Sequence, residues 1–147
     1  MSLAILGLDC VLYYNVGPVN APAWFEVEHI KDATLGLRAA EADVSTRGTG
    51  GWRAIAQTLK ELEISFTLMA VQGDAAFTIL RSRFFDRQSL DVMVLDGDRT
   101  VVGSQGLRAL VQIVDFSRSE QLEEGVSYNV VMKCALATPP EWVVIAA

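Results

Sequence analysis

The sequence predicts a mostly β protein, an antiparallel β-sandwich or part-open barrel flanked by one α-helix at about residues 74–85. The clearest observation is the alternation of Leu62, Ile64, Phe66 and Leu68 with polar residues, which is typical of a half-buried strand. Two longer segments with the same alternation lie nearer the C-terminus, and a single segment has helical spacing. A chain of 147 residues is long enough for one domain and short for two.

Several extended segments precede that central strand. The first alternates in polarity, and the proline-containing loop Asn15–Pro22 ends it. Lys31 and Asp32 form a turn signal between the second and third segments. Gly48–Gly51 marks a flexible loop within a long hairpin-like excursion. The strands predicted in this region are Leu8–Tyr14, Phe25–Ile30, Ala33–Leu37, Glu41–Thr46 and Ala54–Thr58.

The predicted helix runs from Ala75 to Phe85. Asp74 precedes it, and an aspartate at that position accepts hydrogen bonds from the N–H groups of the first turn. Phe77, Leu80 and Phe84 recur at helical spacing, so they would form the stripe that faces the core.

Strands dominate the part of the chain after the helix. Asp96-Gly97-Asp98 is a tight-turn signal between two of them. Thr138-Pro139-Pro140 is expected to stop the sheet and to release an apolar tail. The strands predicted here are Leu90–Leu95, Thr100–Val102, Leu107–Phe116 and Val126–Leu136.

Composition favours an oligomer and argues against several other classes. The chain is 51% hydrophobic with a mean hydropathy of +0.30, which suggests that it buries more surface than one small domain provides. No apolar stretch approaches the length of a membrane span. The N-terminus makes a poor signal peptide, so assembly in a bacterial cytoplasm is expected. A net charge of −6 argues against a surface that grips nucleic acid. Cys10 and Cys134 are expected to be reduced and buried.

The sequence offers no convincing catalytic, cofactor-binding or metal-binding group, and the chain is therefore not expected to be an enzyme. The glycines at Gly48–Gly51 match neither phosphate-binding pattern. His29 is the sole histidine and has no serine or cysteine motif near it, which favours a structural or solvated role. The acidic pairs each have a structural explanation as a strand face, a turn or a bend.

Apolar and aromatic residues at peripheral positions predict contacts between subunits. The tail from Pro139 would either pack on its own domain or dock on a neighbouring subunit, and docking is favoured because such a tail is otherwise adhesive. A strand with Glu41 and Asp43 on one face is also unusually acidic there. The predicted contact residues are Leu3, Ile5, Arg47, Trp52, Arg53, Trp142, Val143, Val144 and Ile145.

The succession of segments resembles the major tail proteins, or tail tube proteins, of long-tailed phages and phage-derived particles. The resemblance covers nearly the whole chain and rests on the order of its segments, since no single motif is diagnostic. The segments that carry it are Leu8–Tyr14, the loop around Trp24, Asp32–Leu35, Glu41–Arg47, Gly51–Arg53, the helix with Phe77, Gly106–Ala109, Phe116–Arg118, Leu122–Gly125 and Thr138–Trp142.

The resemblance implies a structural subunit of a virion tail that forms hexameric rings, whose strands join into one barrel around a lumen and whose rings stack into a tube. It also implies one domain over residues 1–147, with an N-terminal arm at 1–7, a long loop at 45–57 and a C-terminal arm at 139–147 that reach neighbouring subunits. DNA would pass through the lumen without specific binding, and the other partners would be tape measure and terminator proteins. An acidic wall keeps DNA mobile, so Glu41 and Asp43 are predicted to face the lumen; an outer, solvated face is the alternative.

Other functions remain open at this point. The closest are the inner tube or ring protein of a type VI or contractile injection system, and a tail terminator or connector that forms a single ring. A small β-barrel that binds a ligand is a more distant alternative, because it would need a pocket with convergent polar groups.

Overall fold

One antiparallel sheet and one helix make up the described part of the protein. The computed structural model describes residues 4, 7, 10–120, 122, 125–135 and 139–146. The elements are β1 Val11–Asn15, β2 Trp24–Glu26, β3 Ile30–Asp43, β4 Ile55–Met69, α1 Ala75–Phe85, β5 Leu90–Leu95, β6 Gln105–Ser119, β7 Ser127–Cys134 and β8 Glu141–Val144.

The strands follow the order β2-β1-β5-β6-β7-β4-β3. β5 pairs with one edge of β6, and the other edge pairs first with β8 and then, nearer its C-terminal end, with β7. The sheet bends, so that side chains from β1 and β5 pack in the same core cluster as side chains from β4. It does not close into a barrel, because β2 and β3 end as separate edges. The predicted mostly β, part-open architecture with one helix is confirmed.

The core follows directly from the alternation in β4. Leu62, Ile64, Phe66 and Leu68 are all at most 5% exposed, whereas the residues between them are exposed or half-buried. Each buried aliphatic or aromatic side chain of this size stabilises the fold by about 1.5–3 kcal/mol through removal of apolar surface from water. The strand predicted around Leu62–Leu68 is therefore confirmed.

The helix begins and ends where the sequence predicts. The carboxylate of Asp74 accepts a hydrogen bond from the N–H of Ala76 at 3.1 Å. Leu80 is buried, and the rings of Phe77 and Phe84 lie 5.9 and 6.0 Å from the ring of Phe116 on β6. The helix thus covers one end of the core through aromatic packing, which contributes about 0.5–1.5 kcal/mol per pair beyond burial.

The β3–β4 hairpin is longer than predicted because two apparent breaks are β-bulges. Asp32 adopts a left-handed conformation, with φ of 55°, and the strand continues past it. A second shift in register falls between Ala39 and Glu41, where β4 carries an extra residue. A bulge disturbs the ladder by one residue without ending it. Four predicted segments are therefore two long strands, and the predicted turn at Lys31 and Asp32 is wrong.

The strand predicted at Thr100–Val102 is also wrong. The carboxylate of Asp98 accepts hydrogen bonds from the N–H and the hydroxyl of Thr100, at 2.9 and 2.8 Å, and the chain turns there. Aspartate commonly closes such a turn on the backbone two residues later. These bonds from Thr100 lower the pKa of Asp98, so its carboxylate stays ionised to a lower pH than usual.

Both cysteines are exposed, which contradicts the prediction that they are buried. Cys10 precedes β1 and Cys134 is the last residue of β7, so both stand at strand ends. The side-chain alternation places Cys134 in line with the buried Val130 and Met132, but Met132 is the last buried residue of β7. Alternation alone therefore overestimates burial at the last position of a strand.

Candidate functional site: assembly surfaces

The distal half of the β3–β4 hairpin projects from the domain as a two-stranded ribbon. From Ile55 to Glu61, every residue of β4 is exposed or half-buried, and the paired residues of β3 behave in the same way. Leu59 is 81% exposed. An isolated two-stranded ribbon is marginally stable in water, so this half of the hairpin is expected to gain stability from a partner.

The tip of the hairpin holds a defined turn built from its polar and glycine residues. Thr46 accepts a hydrogen bond from the N–H of Gly48, and a short 3₁₀-helix spans Arg47–Thr49. Gly50 and Gly51 follow with φ of 66° and 88°, values that favour glycine. The sequence predicted only a flexible loop here, and it missed the hydrogen bonds that shape the turn.

The hydrogen bonds of this turn hold Trp52 in an exposed position. The hydroxyl of Thr49 donates to the carbonyl of Trp52 at 2.7 Å, and the indole side chain is 81% exposed. Arg47 and Arg53, both exposed, flank it in the sequence. The tip, defined as residues 44–54, therefore brings together three of the predicted contact residues as one aromatic and two cationic side chains.

Glu41 and Asp43 lie at the outer end of β3, opposite Gln57 and Ile55 of β4, and both are exposed. Hydrogen bonds from the hydroxyl and the N–H of Ser45 lower the pKa of Asp43 below its ordinary value. The carboxylate therefore remains ionised at any pH near neutrality. Their orientation toward a lumen stays a prediction.

The C-terminal segment forms a strand on its own domain, so the predicted release of a tail is wrong. Glu141–Val144 pairs with Arg108–Gln105 of β6, and the indole N–H of Trp142 donates to Gln105 at 3.1 Å. Val143 and Ile145 pack on a second apolar cluster formed by Tyr13, Met93 and Leu95. A paired strand satisfies its backbone groups within the chain, which a free tail would leave to a partner. Trp142 and Val144 remain exposed and are still predicted to contact another subunit.

Removal of residues 141–147 is expected to destabilise the monomer, by about 2 kcal/mol, because it uncovers the apolar cluster under Val143 and Ile145. Urea unfolding of the truncated and complete chains would measure the difference. Removal of residues 146–147 alone is the control and should cost less than about 0.5 kcal/mol. Equal stability of the longer truncation and the complete chain would contradict a structural role for β8.

A groove of about 750 Å³ opens between the two ends of the bent sheet. Its walls are mainly apolar and come from β1, β3, β4, β5 and β6, with Trp142 of β8 among its lining residues. Among the described residues that line it, the charged side chains are Asp32 and Asp96. No local sequence pattern indicates this groove, because the residues of its walls are far apart along the chain. Its representative apolar residues are Leu12, Leu35, Ile64, Val94 and Leu95.

A buried polar network on the opposite face of the sheet was also missed. Asp91 accepts hydrogen bonds from Arg108 at 2.8 Å and from Asn15 at 3.1 Å, and its side chain is 7% exposed. The side-chain amide oxygen Oδ1 of Asn15 accepts hydrogen bonds from the N–H groups of Gly17 and Ala23, both at 2.8 Å. The network therefore fixes the loop between β1 and β2.

Arg108 completes this network. Its guanidinium donates to the carbonyl of Val19 at 2.8 Å and lies 5.1 Å from the ring centre of Trp24. The hydrogen bonds to Asp91 raise the pKa of Arg108, so its guanidinium keeps its positive charge. Charged hydrogen bonds of this kind are stronger than neutral ones, and they orient the loop more firmly.

Potential metal ligands do not cluster in the part of the chain that the structure describes. No cluster of three potential ligands among histidine, cysteine, aspartate and glutamate occurs there. His29 is half-buried, and its backbone carbonyl accepts a bond from Met69 at 2.8 Å. In the same part of the chain, no helix is long and apolar enough to cross a membrane.

The predicted contact residues therefore fall into separate groups. Arg47, Trp52 and Arg53 share the tip, whereas the four residues Trp142–Ile145 belong to β8 and its end on the body of the domain. Leu3 and Ile5 lie outside the described residues, as does most of the predicted N-terminal arm. The exposed features are thus a ribbon, an aromatic tip and an apolar groove. They define a β-sheet protein whose conspicuous surfaces suit contacts with other protein chains.

Comparison with known proteins identifies the family. The sequence matches the family described as phage tail tube protein over residues 10–138. The chain belongs to this family. The sequence has no significant match among curated proteins.

Solved structures share the fold at low sequence identity. The tail of an empty GTA particle with C6 symmetry matches with a TM-score of 0.74 and 20% identity, over 97% of this chain and 100% of that chain. The SPP1 tail tube matches with a TM-score of 0.71 and 12% identity, over 98% and 81% of the two chains. A chain of the anti-feeding prophage baseplate matches with a TM-score of 0.64 and 10% identity, over 99% of each chain.

Proposed function

We propose that this chain is the tube-forming subunit of a phage or phage-derived tail, and that its copies form hexameric rings that stack into a hollow tube. The observation that carries the proposal is the long edge strand β3, whose 14 residues end in a ribbon exposed on both faces. A long unpaired edge invites aggregation unless another element covers it. In a closed ring every subunit has neighbours, so the edge strand β3 of each copy can be covered by another copy of the same chain.

Family membership and the C6 symmetry of the similar GTA tail support the hexameric form of this proposal. The subunit would then be located in the virion tail after assembly in the bacterial cytoplasm, where tape measure and terminator proteins would be its other partners. Its role is structural, and we propose no reaction for it.

In the proposed tube, Glu41 and Asp43 face the channel through which DNA passes. Both are exposed, and the bonds from Ser45 favour the ionised form of Asp43. Nearer the base of the hairpin, Arg38 of β3 pairs in register with Glu61 of β4. This part of the hairpin surface therefore carries both positive and negative charge. An acidic surface repels phosphate, whereas a surface with cations would retain it.

Electron microscopy of the purified complete chain at increasing concentration tests the proposal. Rings and then tubes of constant diameter are expected, because subunit contacts saturate as concentration rises. Single rings that never stack would instead favour a tail terminator or connector. A chain that remains monomeric at the highest soluble concentration would contradict the proposal.

A further inference from the structure

We propose that the tip of one copy docks in the groove of a neighbouring copy, with Trp52 as the central contact. This inference rests on the proposed function, and it names the two surfaces that meet. The contact joins two different surfaces of the same chain, so each copy can donate its tip to one neighbour and receive a tip from another.

The tip and the groove are complementary in their apolar surface. Trp52 is 81% exposed on a hydrogen-bonded turn, and the groove of about 750 Å³ presents mainly apolar walls. Tryptophan buries on the order of 150–250 Å² when it is enclosed, and it is enriched among the residues that dominate protein interfaces. A groove of this size can enclose an indole ring together with neighbouring atoms of the turn.

The tip and the groove also carry opposite charges. Arg47 and Arg53 are the charged residues of the tip, which contains no acidic residue between positions 44 and 54. The charged lining residues of the groove are Asp32 and Asp96 within the described part of the chain. Opposite charges around an apolar contact favour one orientation and speed its formation.

The geometry of the hairpin excludes the groove of the same copy. Leu35 and Ile64, which line the groove, are paired at the base of the hairpin, whereas Asp43 and Ile55 are paired at its outer end. Asp43 lies eight positions beyond Leu35 along β3, which corresponds to about 26 Å in an extended strand. A ribbon that leads away from the groove over this distance holds Trp52 far from its own groove, so a second copy must receive it.

The contact would generate a ring or a helical assembly. An interface between two different patches propagates from copy to copy, and it closes when the rotation between neighbours divides a full turn. The same contact can operate within a ring or between stacked rings, and in either case it requires the exposed ribbon to extend from each subunit.

Replacement of Trp52 by alanine is the first test. The Trp52→Ala chain should fold normally, because the side chain is exposed, but the concentration needed for half-maximal assembly should rise about thirtyfold. Light scattering and electron microscopy measure that concentration. Phe85→Ala is the matched control, since Phe85 is a similarly exposed aromatic residue at the end of α1, and it should change the concentration less than about twofold.

A charge exchange tests the specific pairing. The tip variant Arg47→Glu/Arg53→Glu and the groove variant Asp32→Lys/Asp96→Lys should each assemble at least about tenfold less readily than the natural chain. Circular dichroism first establishes that each variant is folded. A mixture of the two should recover assembly, because alternating copies place every tip against a groove of opposite charge.

The outcomes separate the inference from the proposed function. Failure of the natural chain to assemble would overturn both. Normal assembly of the natural chain and of Trp52→Ala, or a folded mixture of the charge variants that does not recover, would overturn the inference alone. Assembly that is indifferent to Trp52 but is lost when residues 1–9 are removed would assign the groove to the N-terminal segment and likewise overturn it.

Discussion

Replacement of Gly106 by alanine is expected to destabilise the protein by about 3 kcal/mol or more, and to leave much of the chain unfolded at 37 °C. Gly106 lies in β6 between Leu95 of β5 and Val143 of β8. A Cβ atom added there would lie 1.7 Å from the carbonyl oxygen of Val94. Because the obstructing atoms belong to the backbone, no rotation of a side chain can relieve the clash.

Gly36→Ala supplies the matched control. Gly36 also lies inside a strand, but a Cβ atom there would be 3.6 Å from the nearest atom, the carbonyl oxygen of Glu63, which is ordinary contact. Alanine should therefore be neutral, or stabilise slightly by restricting the unfolded chain. Urea unfolding followed by circular dichroism at low protein concentration compares the two variants. Equal stability of Gly106→Ala and Gly36→Ala would show that β5 and β6 can separate at little cost.

Local sequence patterns predicted the parts of the fold that local physics determines. The helix was correct because Asp74 caps it and Leu80 recurs at the right spacing. The strand around Ile64 was correct because alternation places its apolar side chains on one face. In both cases, neighbours in sequence supply the signal, so tertiary contacts did not need to be known.

Signals that have more than one structural meaning produced the errors. Asp32 promotes a left-handed conformation, which serves equally in a turn that ends a strand and in a bulge that lets it continue. Pro139 and Pro140 are typical of the end of a sheet, but the chain pairs with β6 as β8 directly after them. Only the partner strand decides between these outcomes, and the partner is remote in sequence.

The assembly surfaces were predicted in part for the same reason. Trp52, Arg47 and Arg53 are close in sequence, so their common exposure on a glycine-containing turn could be inferred. The groove could not, because two of its lining residues, Leu12 and Ile64, are 52 positions apart in the chain (64 − 12). Such a groove forms only when the bent sheet brings strands that are remote in sequence close together, so it cannot be predicted from local sequence patterns.

Replacement of Arg108 by methionine is expected to lower the free energy of unfolding by about 3 kcal/mol. The change keeps the apolar stem but removes three hydrogen bonds, two to Asp91 and one to the carbonyl of Val19. The carboxylate would remain buried without its cation, which is the costly consequence. Urea unfolding measures the loss. Faster hydrogen exchange at the N–H groups of Gly17 and Ala23 would report release of the loop that the network holds.

Two further variants distinguish a buried ion pair from simple loss of packing. Asp91→Leu/Arg108→Met removes both charges, so it should be more stable than Arg108→Met alone, because no unpaired carboxylate remains in the interior. Arg118→Met removes an exposed arginine that pairs with Glu120 and bonds to the side chain of Tyr128, and it should cost clearly less than Arg108→Met because its charge is already solvated. If Arg108→Met is no more harmful than Arg118→Met, the network contributes little, and the loop between β1 and β2 must be held by the packing of Trp24 instead.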